Sequence, residues 1–420
     1  MGNFDPTMPP SLGRRIRFYL RELRRSAFML LYSLPALVIW LSPYRFINVA
    51  VPSRIGHLAL EVDWFLKRKA LGYYGSIRPI LMLRFDQVAN KSMLEIWRPN
   101  FIHITWKSAQ FLLRPLMYFK ALRIDTMASV SGFREPALYP SVQDEWGDRA
   151  PIFVIPDDMA RRGEDTLARM GLPLGAWFVC VHARDGVYSP RDEALHSFRN
   201  SSISNCEPAI DEIISRGGWA IRMGEKGSQP LRDRLGVINY PDTAYKSDWM
   251  DLFLCSRSRF FLGNTSGICM IPAIMGVPLA LINMTPFGAC LGLGANDLSI
   301  PKAVRGADGE LLLFSEIFSS EASTFRYLSQ FERGGYVTVE NSPAQIRELV
   351  LEMLDQVEGG AERTIENENL QRRFRSLLTP LHLSYLSSSK IGSAYLREHE
   401  VLLPSEESVL ASQARINGLS

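Results

Sequence analysis

A run of small and polar residues, Gly263-Asn264-Thr265-Ser266-Gly267, separates a short apolar stretch from an apolar segment of helical character. Glycines permit a tight turn close to a ligand, two hydroxyls supply hydrogen bonds, and a helix start supplies free N–H groups and a positive dipole end. The run follows a predicted strand, at the sheet edge where open α/β folds bind ligands. We therefore predict that Asn264, Thr265, Ser266 and Gly267 bind a diphosphate. A simple N-cap is the competing interpretation.

His182-Ala183-Arg184-Asp185 also leaves the end of a predicted strand, residues 177–182. Alternation places His182 and Arg184 on the same side of that strand. A guanidinium at the rim of the sheet can make a forked contact to phosphate and offset the charge of a departing nucleoside diphosphate. We predict that Arg184 is catalytic and that His182 binds the ligand. A structural salt bridge between Arg184 and Asp185 is the alternative.

A third strand end repeats this chemistry, because Arg222, Gly224 and Glu225 close the strand predicted at residues 219–223. We predict that all three bind the same ligand. In the N-terminal part, His57 lies in the first strand-to-helix loop, where a neutral imidazole could take the proton of an acceptor hydroxyl. Asp185 and Glu225 are rival bases, and a lone histidine is more often structural.

Several motifs of other enzyme classes are missing from the sequence. It has no nucleophile elbow, Walker-type loop, HExxH or DxD motif, so we predict no metal site and no cofactor. Its five cysteines lack the spacing of metal ligands and indicate buried thiols in a reducing compartment. A net charge of +3 without recurrent basic blocks argues against a nucleic-acid partner.

Short apolar runs alternate with helical segments from residue 46 onward, which is typical of βαβ units and parallel sheets. Residues 46–51 and 80–83 are the first predicted strands, and the rhythm resumes at residue 177 after a Pro- and Gly-rich stretch, residues 132–156. The fold class predicted is α/β with two Rossmann-like domains. We assign residues 44–156 to an acceptor domain, 157–380 to a nucleotide-binding domain, and 381–420 to a C-terminal helix and tail.

Residues 1–43 form a basic and apolar segment. Six arginines stand between residues 14 and 25, and residues 27–41 carry no charge but contain Pro35. This apolar run is short for a transmembrane helix, so we predict a helical anchor on an anionic membrane surface. Residues 97–123 interleave aromatic and basic side chains and suit a second interfacial helix. A core-facing helix with snorkelling basic residues is the alternative.

Several segments of the chain, taken together, resemble a bacterial family, itself not characterised, of glycosyltransferases that accompany polysaccharide synthesis. The segments are residues 54–58, 178–185, 198–200, 217–224, 246–254 and 261–267. More distantly, His182-x-Arg184 is similar to the H-x-R motif of the fucosyltransferase superfamily, in which the arginine holds the donor diphosphate. The Ser266-Gly267 loop is similar to the donor loop of heptosyltransferase-like enzymes with the two-domain GT-B fold.

The resemblance implies a GT-B glycosyltransferase, and the basic and apolar N-terminal segment predicts a location at the cytoplasmic face of the bacterial inner membrane. Its co-substrate would be a nucleotide-sugar, and its acceptor a lipid-linked or polysaccharide chain. Two alternatives stay open at this point. A nucleotide-sugar epimerase can use the same double Rossmann body without a membrane, and a non-catalytic subunit of a polysaccharide-synthesis complex would need neither donor nor acceptor chemistry.

Overall fold

The computed structural model describes residues 12–126, 138–360 and 364–409. The chain begins with helices α1 (Leu12–Leu31) and α2 (Ser33–Trp40), which meet at 64°. Pro35 lies in the first turn of α2, where its missing N–H breaks no helical hydrogen bond. Within the described residues, no single helix has both the length and the apolar composition to cross a bilayer, although Phe18–Leu31 and Ser33–Trp40 together do.

The first sheet is parallel and has four strands in the order β3-β2-β1-β4. Its strands are β1 (Tyr44–Asn48), β2 (Arg78–Leu81), β3 (Ile102–His103) and β4 (Arg123–Asp125), and its helices are α3 (Ile55–Ala70), α4 (Lys91–Trp97) and α5 (Lys107–Leu113). Every residue of α3 from Leu58 to Lys67 is buried. A helix covered on all sides lies between two layers of a structure.

The second sheet is also parallel and has seven strands in the order β13-β10-β9-β8-β5-β6-β7. They are β5 (Phe178–Val181), β6 (Trp219–Arg222), β7 (Val237–Asn239), β8 (Phe261–Gly263), β9 (Leu279–Met284), β10 (Leu298–Pro301) and β13 (Lys390–Ile391). Strands β5, β8 and β9 are buried along their whole length. Such continuous burial is expected where helices cover both faces of a parallel sheet.

Eleven further helices are described beside these sheets. They are α6 (Leu138–Trp146), α7 (Asp157–Arg169), α8 (Glu193–His196), α9 (Glu207–Ser215), α10 (Asp248–Arg257), α11 (Met270–Ile274), α12 (Phe314–Ser319), α13 (Leu328–Arg333), α14 (Pro343–Val357), α15 (Ile365–Arg375) and α16 (Ser393–Glu398). Strands β11 (Ala303–Arg305) and β12 (Val337–Val339) form an antiparallel pair. The chain is therefore a mixed α/β protein with two parallel sheets.

The two sheets pack together through helices that belong to different sheets. Helix α3 packs against α11, and α4 packs against α10. The backbone N–H of Lys91 at the start of α4 donates to the Asp248 carboxylate at 2.8 Å, and Asn90 donates to the Asp248 carbonyl at 2.9 Å. One continuous hydrophobic cluster runs from Ile47 in the first sheet to Leu403 beyond the second.

Three expectations about local structure need correction. Residues 97–123 are not one helix, because Pro99 and Pro115 each start a separate 3-10 turn and the segment also contains β3 and α5. Residues 138–146 of the expected connection form α6, whereas residues 132–137 lie outside the described residues. The second sheet also extends into residues 381–420 through β13.

Candidate active site

Each parallel sheet has one position where the chain reverses its direction of travel across the sheet. In the second sheet the chain moves from β5 outward to β7 and then returns to β8 beside β5. In the first sheet it moves from β1 to β3 and returns to β4 beside β1. Ligands of open α/β folds bind beyond the carboxyl ends of strands at such switch points. The β5 and β8 ends carry two of the predicted motifs.

Asn264 joins the loops that follow β5 and β8. Its Oδ1 accepts from the Arg184 backbone N–H at 2.9 Å, and its Nδ2 donates to the Arg199 carbonyl at 2.8 Å and to Ser201 Oγ at 3.0 Å. The side chain is fully buried. Asn264 was predicted to bind the ligand directly, but in this structure its amide groups hold the two loops together and are already occupied.

Arg184 is mostly buried, with 14% of its side chain exposed. Its Nη1 donates to Asn200 Oδ1 and to the His196 carbonyl, and lies 3.8 Å from Glu193 Oε2. The salt bridge to Asp185, which was the alternative interpretation of this motif, is not formed, because Arg184 lies beside Glu193 and Asp185 lies beside Arg222. Within the described residues, the guanidinium of Arg184 makes its hydrogen bonds through Nη1. Its Nε and Nη2 therefore remain for a ligand.

Two more arginines stand beside Arg184. Arg199 donates through Nε and Nη2 to the Thr265 carbonyl, at 3.2 and 2.7 Å. Arg54, at the start of α3, reaches across from the first sheet and lies 2.6 Å from Asp192 Oδ2. We call Arg54, Arg184 and Arg199 the arginine cluster.

The positive charge of the arginine cluster contributes to the pKa shifts of groups in and beside it. Burial lowers the pKa of Arg199 to about 10, and the Arg184 guanidinium adds to the effect. Burial also lowers the pKa of His196 to about 4, with Arg199 contributing. Burial acts to raise the pKa of Asp192, but hydrogen bonds, one of them from Arg54, outweigh it and lower that pKa. Unpaired positive charge in a partly buried site favours an anion.

The loop after β8 differs from the expected phosphate cradle at a helix start. Helix α11 begins only at Met270 and has five residues, so Gly267 is not its cap. Thr265 Oγ1 accepts from the Thr285 N–H at 3.1 Å. Ser266 Oγ is buried and has no hydrogen-bond partner in the described part of the chain. The expected contribution of the helix dipole is therefore absent, and arginine side chains supply the positive charge.

The end of β6 is built around Arg222, which is 2% exposed. Its Nε donates to the Gln229 carbonyl at 3.1 Å, its Nη2 lies 3.9 Å from Asp185, and a Cβ on Gly224 would lie 2.7 Å from its Nη1. Gly224, with φ of +138°, thus leaves space for the guanidinium. Arg222 thus contacts Gln229, Asp185 and Gly224 at the end of β6.

His182 lies between the β5 and β6 ends. Its Nδ1 lies 3.2 Å from the Met223 carbonyl. Burial lowers the pKa of His182 to about 4, and the charge of Arg222 contributes.

Glu225 lies apart from the cluster and faces Lys246 at 4.0 Å. Beyond Lys246 a cavity of about 310 Å³ opens between α7 and the start of α10, away from the strand ends that carry the motifs.

His57 reaches the site through the first turn of α3. The neighbouring Gly56 packs against Gly267, since a Cβ on Gly56 would lie 3.1 Å from the Gly267 Cα. His57 Nδ1 lies 2.7 Å from Glu61 Oε1, and 27% of the His57 side chain is exposed. The contact between Gly56 and Gly267 places the first turn of α3, which carries His57, against the loop after β8 that contains Thr265.

Sequence reasoning missed four residues of this site. They are Arg54, Arg199, Asn200 and Lys302, whose Nζ donates to the Asn200 carbonyl at 2.7 Å. The first three stand inside the segments that carry the family resemblance, but none of them directly follows a strand. Lys302 does follow β10, so the alternating run before it was the signal that could have revealed it. In residues 12–126, 138–360 and 364–409, no group of three His, Cys, Asp or Glu side chains could hold a metal ion.

The sequence matches no protein-family profile and no curated protein. Among solved structures, the chain is similar to the iron-containing dodecameric glycosyltransferase TibC from enterotoxigenic E. coli, at 14% identity and a TM-score of 0.35 over 59% of each chain. A complex described as the heptosyltransferase TibC with ADP-D-beta-D-heptose gives 13% identity and a TM-score of 0.33 over 57% of each chain. The matches span less than two thirds of those proteins, and a similarity this low carries no argument about function.

Proposed function

We propose that this protein is a glycosyltransferase with the two-domain GT-B arrangement. It transfers a sugar from a nucleotide-sugar donor to a lipid-linked or polysaccharide acceptor. The observation that carries the proposal is the arginine cluster at the β5/β8 switch point. Three guanidinium groups there face two carboxylates, Asp192 and Glu193. The excess positive charge suits a diphosphate, and the first turn of α3 brings His57 to the same place.

The proposed reaction separates binding from proton transfer. Arg184 and Arg199 hold the donor diphosphate, and Arg54 approaches it from the first sheet. The acceptor oxygen forms a bond to the anomeric carbon, while the bond from that carbon to the diphosphate oxygen breaks and its electron pair leaves with the nucleoside diphosphate. Fixed guanidinium groups stabilise this departing charge without reorganisation. His57 accepts the proton of the acceptor hydroxyl.

The proposed location is the cytoplasmic face of the bacterial inner membrane. Helices α1 and α2 expose many large apolar side chains, and so does the segment around α5. The exposed residues include Leu23, Leu30, Leu31, Leu34, Leu37, Val38, Trp40, Trp106, Phe111 and Leu112. Both α1 and α5 pack on the turn Arg114–Tyr118, so they lie close to each other. An apolar face with arginines nearby fits an anionic lipid surface and a lipid-linked acceptor.

The experiment that tests the function is product analysis with purified protein in detergent. UDP-, GDP-, ADP- and dTDP-linked sugars are each incubated with bacterial lipid extract, and products are separated and weighed by mass spectrometry. Glycosyl transfer predicts free nucleoside diphosphate together with a lipid or glycan heavier by one sugar residue. An intact nucleotide-sugar with altered stereochemistry would indicate the epimerase. No reaction and no donor binding would favour the non-catalytic subunit.

A further inference from the structure

Glu61 is a buried carboxylate whose two oxygens have different partners. The side chain is fully buried on α3. Oε1 lies 2.7 Å from His57 Nδ1, whereas Oε2 accepts from the Ala50 N–H at 3.2 Å and from the Thr126 hydroxyl at 2.5 Å. Ala50 and Thr126 follow β1 and β4, the adjacent strands at the switch point of the first sheet. The carboxylate is therefore fixed at that switch point and directed toward one ring nitrogen.

A neighbouring acid on the same helix shows what a purely structural pair looks like. Asp63 is equally buried, and Lys67 lies 2.7 Å away as its cation. Among the described residues, the basic group that Glu61 contacts is the imidazole of His57. Burying a carboxylate is costly unless charge or hydrogen bonds compensate it. A buried acid that faces a partly exposed imidazole has the arrangement of an orienting group beside a general base.

We propose that Glu61 is a positioning residue that holds His57 in the tautomer with its proton on Nδ1. Because the carboxylate only accepts hydrogen bonds, Nδ1 must donate, and the lone pair of the neutral ring then lies on Nε2. Nε2 takes the acceptor hydroxyl proton as the acceptor oxygen bonds to the sugar. The Glu61 carboxylate balances the resulting imidazolium charge. The catalytic use of this tautomer rests on the proposed function, whereas the tautomer itself does not.

Glu61→Gln makes the proposal testable without a substrate. The Ala50 backbone N–H can only donate to the Oε2 position, so the Gln oxygen will occupy it. The Thr126 hydroxyl has one proton, which it can donate either to that oxygen or to the Asn48 carbonyl, 3.0 Å away. The Gln NH2 group must then face His57 and donate to Nδ1, which moves the ring proton to Nε2. The geometry therefore predicts that this substitution reverses the tautomer of His57 while changing the shape of the side chain very little.

The measurement is nitrogen NMR of 15N-histidine-labelled full-length protein at alkaline pH, where free imidazole is neutral. The His57 signals are identified by their loss in His57→Gln. Wild-type protein should show the Nδ1–H tautomer, Glu61→Gln the Nε2–H tautomer, and the matched control Asp63→Asn no change. An Nε2–H tautomer in wild type, or an unchanged tautomer in Glu61→Gln, overturns the proposal. The wild-type spectrum alone decides it if Glu61→Gln fails to fold.

Turnover separates this proposal from the proposed function. If transfer occurs, Glu61→Gln should lower kcat about 10²- to 10⁴-fold, the range of general-base catalysis, with little change in the donor KM. Glu61→Asp, which still accepts a hydrogen bond, should recover part of that loss. Equal losses in Glu61→Asp, Glu61→Gln and Asp63→Asn would show a structural role only. Absence of transfer in the wild type, with the Nδ1–H tautomer observed, would reject the glycosyltransferase and leave the tautomer assignment intact.

Discussion

At the residue scale, Arg184 and Arg199 of the arginine cluster each use only part of the guanidinium for hydrogen bonds to the described residues. Arg184 uses Nη1 for Asn200 and His196, and Arg199 uses Nε and Nη2 for the Thr265 carbonyl. Each side chain is thus held in place by one part of its guanidinium, and other N–H groups stay available. A fork held in this way can bind phosphate with little further loss of side-chain entropy.

Arg184→Ala should lower turnover of the cognate donor about 10²- to 10³-fold, because it removes a charged contact to the departing diphosphate. Arg184→Lys should recover only part, since a point charge does not replace a fork. The matched control is Arg375→Ala, which removes a partly buried arginine bound to the Ser387 and Ser389 carbonyls, far along the chain from this site. Turnover and melting temperature are measured for each variant. Near-normal turnover of Arg184→Ala at full folding would exclude Arg184 from the mechanism.

Two partly buried histidines, His182 and His196, predict how stability depends on pH. Burial lowers the pKa of both His182 and His196 from 6.5 to about 4, so the unfolded chain binds more protons between these values. Stability should therefore fall as pH falls from 6.5 to 4, by at most about 1.4 kcal/mol per pH unit for each histidine. Urea unfolding between pH 4 and 7 should show a smaller slope in His182→Gln and His196→Gln. An unchanged slope in the double variant would contradict these pKa shifts.

Most of the residues that sequence alone identified stand at or shortly after the end of a strand, and His57 in α3 is the exception. Arg184 was predicted in this way, and the structure places it beside the β8 loop. Arg54 and Arg199 escaped, because a loop brings Arg199 back over Thr265 and a helix from the other sheet carries Arg54. Pairings across loops depend on tertiary structure that no local pattern encodes. Asn264 was recognised by position, but its burial and its three hydrogen bonds could not be read from sequence.

At the scale of elements, the contact between α3 and the β8 loop joins the two sheets. A Cβ on Gly267 would lie 2.8 Å from Ile55 Cγ2 and 3.0 Å from the Gly56 backbone nitrogen. Only a residue without a side chain allows this approach, and Gly56 meets the same restriction from the other side. His57 follows Gly56 directly, so this contact fixes how far the imidazole lies from the arginine cluster.

Gly267→Ala should therefore destabilise the protein by about 1–3 kcal/mol, the usual cost of forcing atoms into a packed interior. Gly360→Ala is the matched control, because its Cβ would meet only the Asp355 carbonyl oxygen at an ordinary 3.6 Å. Denaturant unfolding compares the two variants with wild type. A free energy of unfolding that is unchanged in Gly267→Ala would show that the two loops do not pack as described.

The sequence predicted helices and strands well where the hydrophobic periodicity and the residues at the element boundaries indicated the same element. The βα series expected after residue 177 corresponds to the strands β5 through β9 and the helices between them. Residues 97–123 were assigned wrongly, since their aromatic and basic side chains resemble one amphipathic stripe while two prolines divide the segment. Strand β13 has only two residues and is added to the sheet by pairing with β10, so it carries no periodic signal.

At the scale of the whole molecule, α2 packs against the first sheet on one side and exposes apolar side chains on the other. Ala36 packs with Phe46, Leu116 and Leu122 in a small core under the first sheet. The opposite side of the helix exposes Leu34, Leu37 and Val38. Removing residues 1–43 would therefore uncover Phe46 and confuse loss of folding with loss of membrane binding. Substitution of exposed side chains avoids that difficulty.

The combined variant Leu30→Ser, Leu34→Ser, Leu37→Ser and Val38→Ser should weaken binding to phosphatidylglycerol vesicles at least about 100-fold. Burial of each such side chain in an apolar phase contributes about 1.5–3 kcal/mol. The matched control replaces four exposed apolar residues elsewhere, Leu174, Leu235, Ile365 and Val401, with Ser. Vesicle flotation measures both. Equal binding by the two variants would contradict a membrane-facing role for α1 and α2.

The assignment of domains remains a prediction, with residues 44–156 and 157–380 as its two parts. The two sheets are separate, which agrees with two βα series in the sequence. Their packing through α3, α4, α10 and α11 could not be predicted, because it depends on close contacts such as Gly56 with Gly267. The proposed diphosphate site at the arginine cluster lies where these parts meet, and it can be tested without knowing the sugar or the acceptor.

That test is calorimetric titration of the full-length protein with UDP, GDP, ADP and dTDP, each compared with its monophosphate. The account predicts that at least one nucleoside diphosphate binds more tightly than its monophosphate. Arg184→Ala and Arg199→Ala should each raise its Kd about 30-fold or more, since truncating one partner of a buried charged contact costs about 2 kcal/mol or more. Arg375→Ala should leave the Kd unchanged. Absence of binding by all four diphosphates, or equal Kd values in all three variants and wild type, would contradict the account.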